Sequence, residues 1–194
     1  MNGRRPLRLR PKHALWAVLI LLGMAACRRE SGAPPPAALQ KAQAPEAHAA
    51  QRVLFYPAGE NAMLYECPVS MPASGQTDLD MCDLLRRYLE GPPGPGQFLA
   101  FPEHSDLRAA FLVDGQAVVD LTGPVRTGGG TSTETARVYG IVQTLHANFP
   151  EVKSVRILVD GQEVDTLLGH LDLSHPLVPE PRLLARQAAR GEGG

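Results

Sequence analysis

The chain has 194 residues, 44% of them hydrophobic and 20% charged, which suits one modest domain once unstructured ends are set aside. Arg4, Arg5, Arg8, Arg10 and Lys12 are five of its 19 basic residues, and no acid precedes residue 27, so the remainder carries 14 basic against 20 acidic residues. A mildly acidic body argues against nucleic acid as a partner, because binding it needs cations that face phosphates.

The chain opens on the basic stretch "MNGRRPLRLRPKH", followed by the apolar run "ALWAVLILLGM". A run of 11 residues is too short to span a bilayer, which takes about 20. It has the form of the apolar core of an export signal. Met24-Ala25-Ala26-Cys27 then resembles the bacterial lipobox, with Met where Leu is usual. This predicts a signal peptide over 1–26 and lipid modification of Cys27. Each buried acyl CH₂ contributes about 0.8 kcal/mol, so two or three chains on one cysteine would hold the protein at a membrane. Residue 28 is Arg rather than Asp, which by analogy with such proteins points to the outer membrane of a two-membrane cell. The expected location is the cell envelope, on the periplasmic face in such a host.

Residues 27–50 are rich in Pro, Ala and polar types, with no aromatic or β-branched residue to bury. They read as a disordered tether. The body spans 51–179, and 180–194 reads as a flexible tail with a short helix possible from Pro181.

In the body, "RVLFYP" (52–57) and "AMLYECPV" (62–69) read as strands, the second placing Met63, Tyr65, Cys67 and Val69 on one face. Pro68 cannot donate a ladder bond, so that stretch belongs at a sheet edge. "TDLDMCDLLRRYLEGPP" is a helix that Thr77 or Asp78 can cap, with Met81, Leu84, Leu85, Tyr88 and Leu89 as its apolar stripe. Gly91 and Pro92 end it. A Gly/Pro-rich loop leads to 107–121, two apolar runs around Asp114-Gly115, the signature of a type I′ hairpin. The second helix follows "TGGG", with Thr131 and Glu134 at capping-box spacing and Val138, Ile141, Val142, Leu145 and Phe149 on its buried side. "VKSVRILV" (152–159) is the last strong strand, with a weaker one expected near Leu171–Leu173. The pentapeptide "LVDGQ" occurs at 112–116 and again at 158–162. The first copy predicts a tight hairpin. The second has a weaker return, "EVDTLL", and reads as a bend away from the sheet.

The resulting order is β-β-α-β-β-α-β. It predicts an α+β two-layer sandwich with both helices on one face of a mixed sheet.

This pattern resembles the GerMN domain, the family named from sporulation and spore germination proteins. The residues that carry it are Leu84-Leu85 with Gly91-Pro92, "VDGQAVVDLT" (113–122), "GGGTSTET", "IVQTLHANFPEVKSVRILVDG" (141–161) and "GHLDLSHPL" (169–177). The likeness covers about 52–178 and is strongest from 107 to 177. The loop "GPPGPGQF" is richer in Pro than the family pattern, and there is one copy where some members have two. Such domains are similar to ring-building motifs of secretion and sporulation assemblies. The resemblance implies a docking role and brings no established chemistry.

Candidate chemistry is sparse. Cys67 and Cys82 are the two cysteines left if Cys27 carries lipid, and an oxidising compartment favours a disulfide between them. In "HLDLSH" (170–175, with His170, Asp172 and His175), His170 and Asp172 would share one face of an extended segment, but no third strong ligand stands at set spacing, so no metal site is assigned. Ser105 beside His104, and Ser174 beside His175, lie outside any nucleophile-elbow motif, so no catalytic residue is assigned. "TGGGTSTE" lacks the lysine of a phosphate loop. Arg86, Arg87 and Glu90 read as a solvated helix face. No cofactor is implied. The expectation is a non-enzymatic envelope lipoprotein, anchored through Cys27, whose domain engages protein partners. Binding of peptidoglycan fragments is the alternative, and envelope hydrolysis a weaker one.

Overall fold

The computed structural model describes residues 48–59 and 63–185. The expected leader over 1–26, the acylation site Cys27 and the tether as far as residue 47 lie outside the described residues, as do 186–194 of the expected tail.

Two antiparallel strands come first, β1 (His48–Pro57) and β2 (Leu64–Ala73), paired from His48↔Ala73 to Pro57↔Leu64. β1 takes in residues 48–50, which composition alone assigns to the tether. Pairing with Met71–Ala73 supplies backbone hydrogen bonds that side-chain propensity does not reveal. Helix α1 (Thr77–Leu89) buries Met81, Leu84, Leu85 and Tyr88, four of the five predicted stripe residues, and keeps Leu89 partly buried. Gly91, at φ 92°, ends it in the left-handed region. The first helical residue is Thr77 and Gln76 occupies the cap without a side-chain bond, so neither Thr77 nor Asp78 caps the helix as expected.

β3 (Leu107–Val113) and β4 (Gln116–Leu121) form the predicted hairpin, with Asp114 at φ 51° and Gly115 at φ 82°. Positive φ at both central residues is the type I′ turn. Helix α2 (Thr131–Asn148) carries the chain across to β5 (Ser154–Val159), which pairs in parallel with β4. The second "LVDGQ" is also a tight hairpin. Asp160 and Gly161 have φ of 52° and 77°, and Val159 pairs with Gln162 of β6 (Gln162–Glu163). The expected bend is thus a turn of the same type with a two-residue return. No strand forms at 171–173. Instead Leu177 bridges Val155 through two backbone bonds of 2.8 and 2.7 Å. Pro181–Leu183 is a single 3-10 turn, after which Ala185 donates to the Leu64 carbonyl at 2.9 Å.

The α+β class is the one predicted, and the predicted element order appears with the short β6 added; the arrangement into sheets differs. The strands make two sheets, β1-β2 and β3-β4-β5-β6, where one mixed sheet was expected. Helix side chains explain the separation. On the outer edge of β1, Asn148 Oδ1 accepts from Val53 N (3.0 Å), Asn148 Nδ2 donates to Val53 O (2.7 Å), and Thr144 Oγ1 accepts from Phe55 N (3.1 Å). On the outer edge of β3, Asp78 accepts from Leu112 N (2.8 Å) and Cys82 donates to Ala110 O (3.3 Å). Each helix closes one strand edge, so the two sheets cannot join there.

One core serves the whole. Leu54 and Tyr56 of β1, the α1 stripe, Val138, Ile141, Val142 and Leu145 of α2, and Val119, Leu121, Val155 and Ile157 of the larger sheet all belong to it. Tyr56 stacks on Tyr88 at 4.7 Å, and Tyr88 meets the Phe101 ring edge-on at 6.3 Å. Arg52 lies over the Phe149 ring at 4.8 Å and bonds the Asn148 carbonyl, tying β1 to the end of α2.

Candidate functional site

The densest polar constellation surrounds Glu134, in the first turns of α2 and wholly buried. Its Oε1 accepts from Thr166 Oγ1 (2.5 Å), Leu167 N (2.9 Å) and Leu168 N (2.8 Å). Its Oε2 accepts from His170 N (2.8 Å) and lies 3.1 Å from His170 Nδ1. Burial by itself would raise this carboxyl's pKa. The Thr166 hydroxyl and the amides of Leu168, His170 and Leu167 outweigh that and hold it at about 2. The group is therefore a carboxylate and can only accept, so Nδ1 of His170 carries the proton of that bond. One helical turn on, buried Arg137 donates from Nε to Ala100 O (2.7 Å) and from Nη1 to Val125 O (2.9 Å). Glu134 and Arg137 together fasten three loops to one helix.

The spacing that suggested a capping box thus serves another purpose. Gly130 is the N-cap and makes no side-chain bond, while Glu134 turns to the loop at 166–170. Neither Glu134 nor Arg137 stands out in the sequence as a core residue, because their partners are mainly backbone groups from distant loops.

The other sequence candidates have internal roles. Cys67 and Cys82 are free thiols, so the expected disulfide is absent. Cys67 is buried on β2 opposite Leu54, and burial pushes its thiol pKa up. Cys82 spends its S–H on the β3 edge, as described above. Ser174 donates to Asp172 Oδ1 at 2.6 Å, and the same oxygen accepts from Ser174 N, a local turn. Ser105 donates to Pro102 O at 2.7 Å, and His104 holds a left-handed φ of 64° in that loop. Among the described residues, no set of three His, Cys, Asp or Glu is placed to hold a metal ion. Arg86 and Arg87 make surface pairs with Asp83 and Glu90 on their own helix.

Two surfaces remain. On the outer edge of β2, Leu64 and Glu66 turn their carbonyls outward, to Ala185 N and the Gln97 side chain. By the period of two, Pro68 and Pro72 share that orientation, so their missing N–H groups cost no ladder bond and blunt the edge. The second surface is the outer face of the larger sheet. Ala117, Val119 and Leu121 point to the core, and the alternate positions Phe111, Val113, Val118 and Leu158 point away. Phe111 is 39% and Val113 50% exposed. Arg156 crosses this face to Glu163 (3.2 Å).

A family model described as Germane, sporulation and spore germination, matches residues 53–165. The chain belongs to this family. The Germane domain here is similar in fold to three solved structures. One is a candidate lipoprotein from Clostridium perfringens, at 22% identity and TM-score 0.51, covering 70% of this chain and 89% of that one. Another is the tandem GerMN domains of the sporulation protein GerM from Bacillus subtilis, at 22% identity and TM-score 0.51. That match covers 68% of this chain and 46% of the tandem chain. The third is the first GerMN domain of the same protein, at 17% identity and TM-score 0.52, covering 66% of this chain and 97% of that one. No curated protein matches the chain. The Germane match ends at Asp165, before the loop that Glu134 binds is complete, and the contacts from Thr166 to His170 extend the domain beyond it.

Proposed function

We propose that this protein is a non-enzymatic lipoprotein of the cell envelope, held through acylated Cys27, whose single Germane domain docks on an envelope protein. The observation that carries the reading is how the polar groups are used. Ser105, Ser174 and Cys82 make internal bonds, Cys67 is buried, and Glu134 is wrapped in backbone donors. What the domain offers outward is the half-open apolar face around Phe111 and Val113. Family membership and the lipobox-like Met24-Ala25-Ala26-Cys27 support the envelope setting.

The test is in-cell photocrosslinking of the full chain from Val113, with Arg86 on the outer side of α1 as the comparison. Protein adducts from Val113 that fail to form from Arg86 support the reading. Adducts from Arg86 alone would move the docking surface to the helix. Saturable retention on purified sacculi without protein adducts would favour a peptidoglycan-binding module. Processing that is insensitive to globomycin would overturn the anchor at Cys27.

A further inference from the structure

The two copies of "LVDGQ" have the same turn geometry and different surroundings. Asp114-Gly115 and Asp160-Gly161 both place Asp at positive φ before Gly. Among aspartyl dipeptides Asp-Gly is the most open to intramolecular attack, because glycine lacks the Cβ that would shield its amide nitrogen.

At the second turn both reacting groups are held. Gly161 N donates to Asp120 Oδ1 at 2.8 Å, and Asp160 Oδ1 accepts from Arg108 Nη1 at 3.3 Å. Arg108 is itself fixed by Asp120 Oδ2 at 3.1 Å. At the first turn neither is. Among the described residues, Gly115 N–H meets no acceptor and the Asp114 carboxylate meets no cation. Only the far side of Gly115 is tied, its carbonyl accepting from Lys153 N at 2.8 Å. Among the described residues, no partner has to be displaced before the Gly115 amide and the Asp114 carboxyl meet. Asp114 is exposed, and an open cleft of about 480 Å³ bordered by Lys153 and Ser154 admits water to it.

We propose that Asp114 is a site of spontaneous covalent rearrangement to isoaspartate, and that Asp160 is protected from it by Asp120 and Arg108. Gly115 N loses its proton to solvent and attacks Asp114 Cγ. The new N–C bond closes a five-membered imide as the C–O bond of the protonated carboxyl breaks and one water leaves. A solvent water then opens the ring. Attack at one carbonyl restores aspartate, and attack at the other leaves the backbone running through the side chain. The net mass change is zero, and one methylene enters the main chain at the tip of the β3–β4 hairpin. The inference does not depend on the envelope reading.

The test incubates the full chain at neutral pH in heavy-oxygen water, folded and in denaturant, and maps the peptides. In denaturant the identical pentapeptides should convert at comparable rates. In the folded chain the 114 peptide should take up heavy oxygen and accept methyl groups from an isoaspartate methyltransferase several-fold faster than the 160 peptide. Arg108→Ala, at a half-exposed side chain, should raise conversion at 160 and leave 114 unchanged. Equal conversion of both copies in the folded chain, conversion at 160 first, or an inert Asp114 while the denatured chain reacts would each overturn the proposal.

Discussion

Gly140 is the position where the packing is least forgiving. It lies in the middle of α2, where glycine costs about 1 kcal/mol relative to alanine. An added Cβ would run into the Tyr88 hydroxyl and come within 3.1 Å of Tyr88 Cζ and of the Phe55 carbonyl. Tyr88 has no room to yield, being fully buried, stacked on Tyr56 and met edge-on by Phe101. Overpacking of this kind costs about 1–3 kcal/mol. The rigid ring and the strand carbonyl put Gly140→Ala near the upper end, so after the helix gain the net loss is about 2 kcal/mol. For a domain of this size that lowers Tm by roughly 8 °C. Urea and thermal unfolding followed by circular dichroism would measure it. Among the described residues the Tyr88 hydroxyl has no hydrogen-bond partner, so Tyr88→Phe by itself should cost little. Combined with Gly140→Ala it should recover at least about 1 kcal/mol. A Gly140→Ala protein as stable as the parent, or a double variant with no recovery, would refute the reasoning.

Two further outcomes follow from the polar contacts. Glu134 sits at a pKa of about 2 against an ordinary 4.5, so its ionised form favours the folded state. That stabilisation is complete above the unfolded value and is lost as pH falls from there towards about 2. The shift corresponds to roughly 3 kcal/mol, so urea midpoints should drop across that window, and Glu134→Gln should be less stable at neutral pH with the acid dependence flattened. Asn148→Ala removes both side-chain bonds to Val53 and should cost about 2 kcal/mol by urea unfolding, with amide exchange rising first at Val53.

The Glu134 cluster shows why the polar interior was hard to read. Its donors come from residues 166–170, more than 30 positions away, and four of its five contacts are to backbone or to groups with no motif value. Sequence spacing describes neighbours on one helix, and here the neighbour in space belongs to another loop. The cysteines teach the same lesson. Parity and compartment favoured a bond between Cys67 and Cys82, but whether two thiols meet depends on the packing of β2 and α1, and Cys82 faces the β3 edge instead.

Local chemistry was enough for the elements. The 3.6-residue stripes of α1 and α2, the period of two in β4 and β5 and the Asp-Gly turn at 114–115 are properties of neighbouring residues, and all appear where the pattern places them. The return strand of the second "LVDGQ" is only two residues long, too short to leave a pattern, so the local sequence suggests a bend where a hairpin forms. What tertiary structure decided is how the strands divide. The exposed backbone of β1 is met by Asn148 and Thr144, and that of β3 by Asp78 and Cys82. A strand edge satisfied by a helix side chain has no bond left for another strand. Two sheets therefore form from a sequence whose strand pattern fits one sheet equally well.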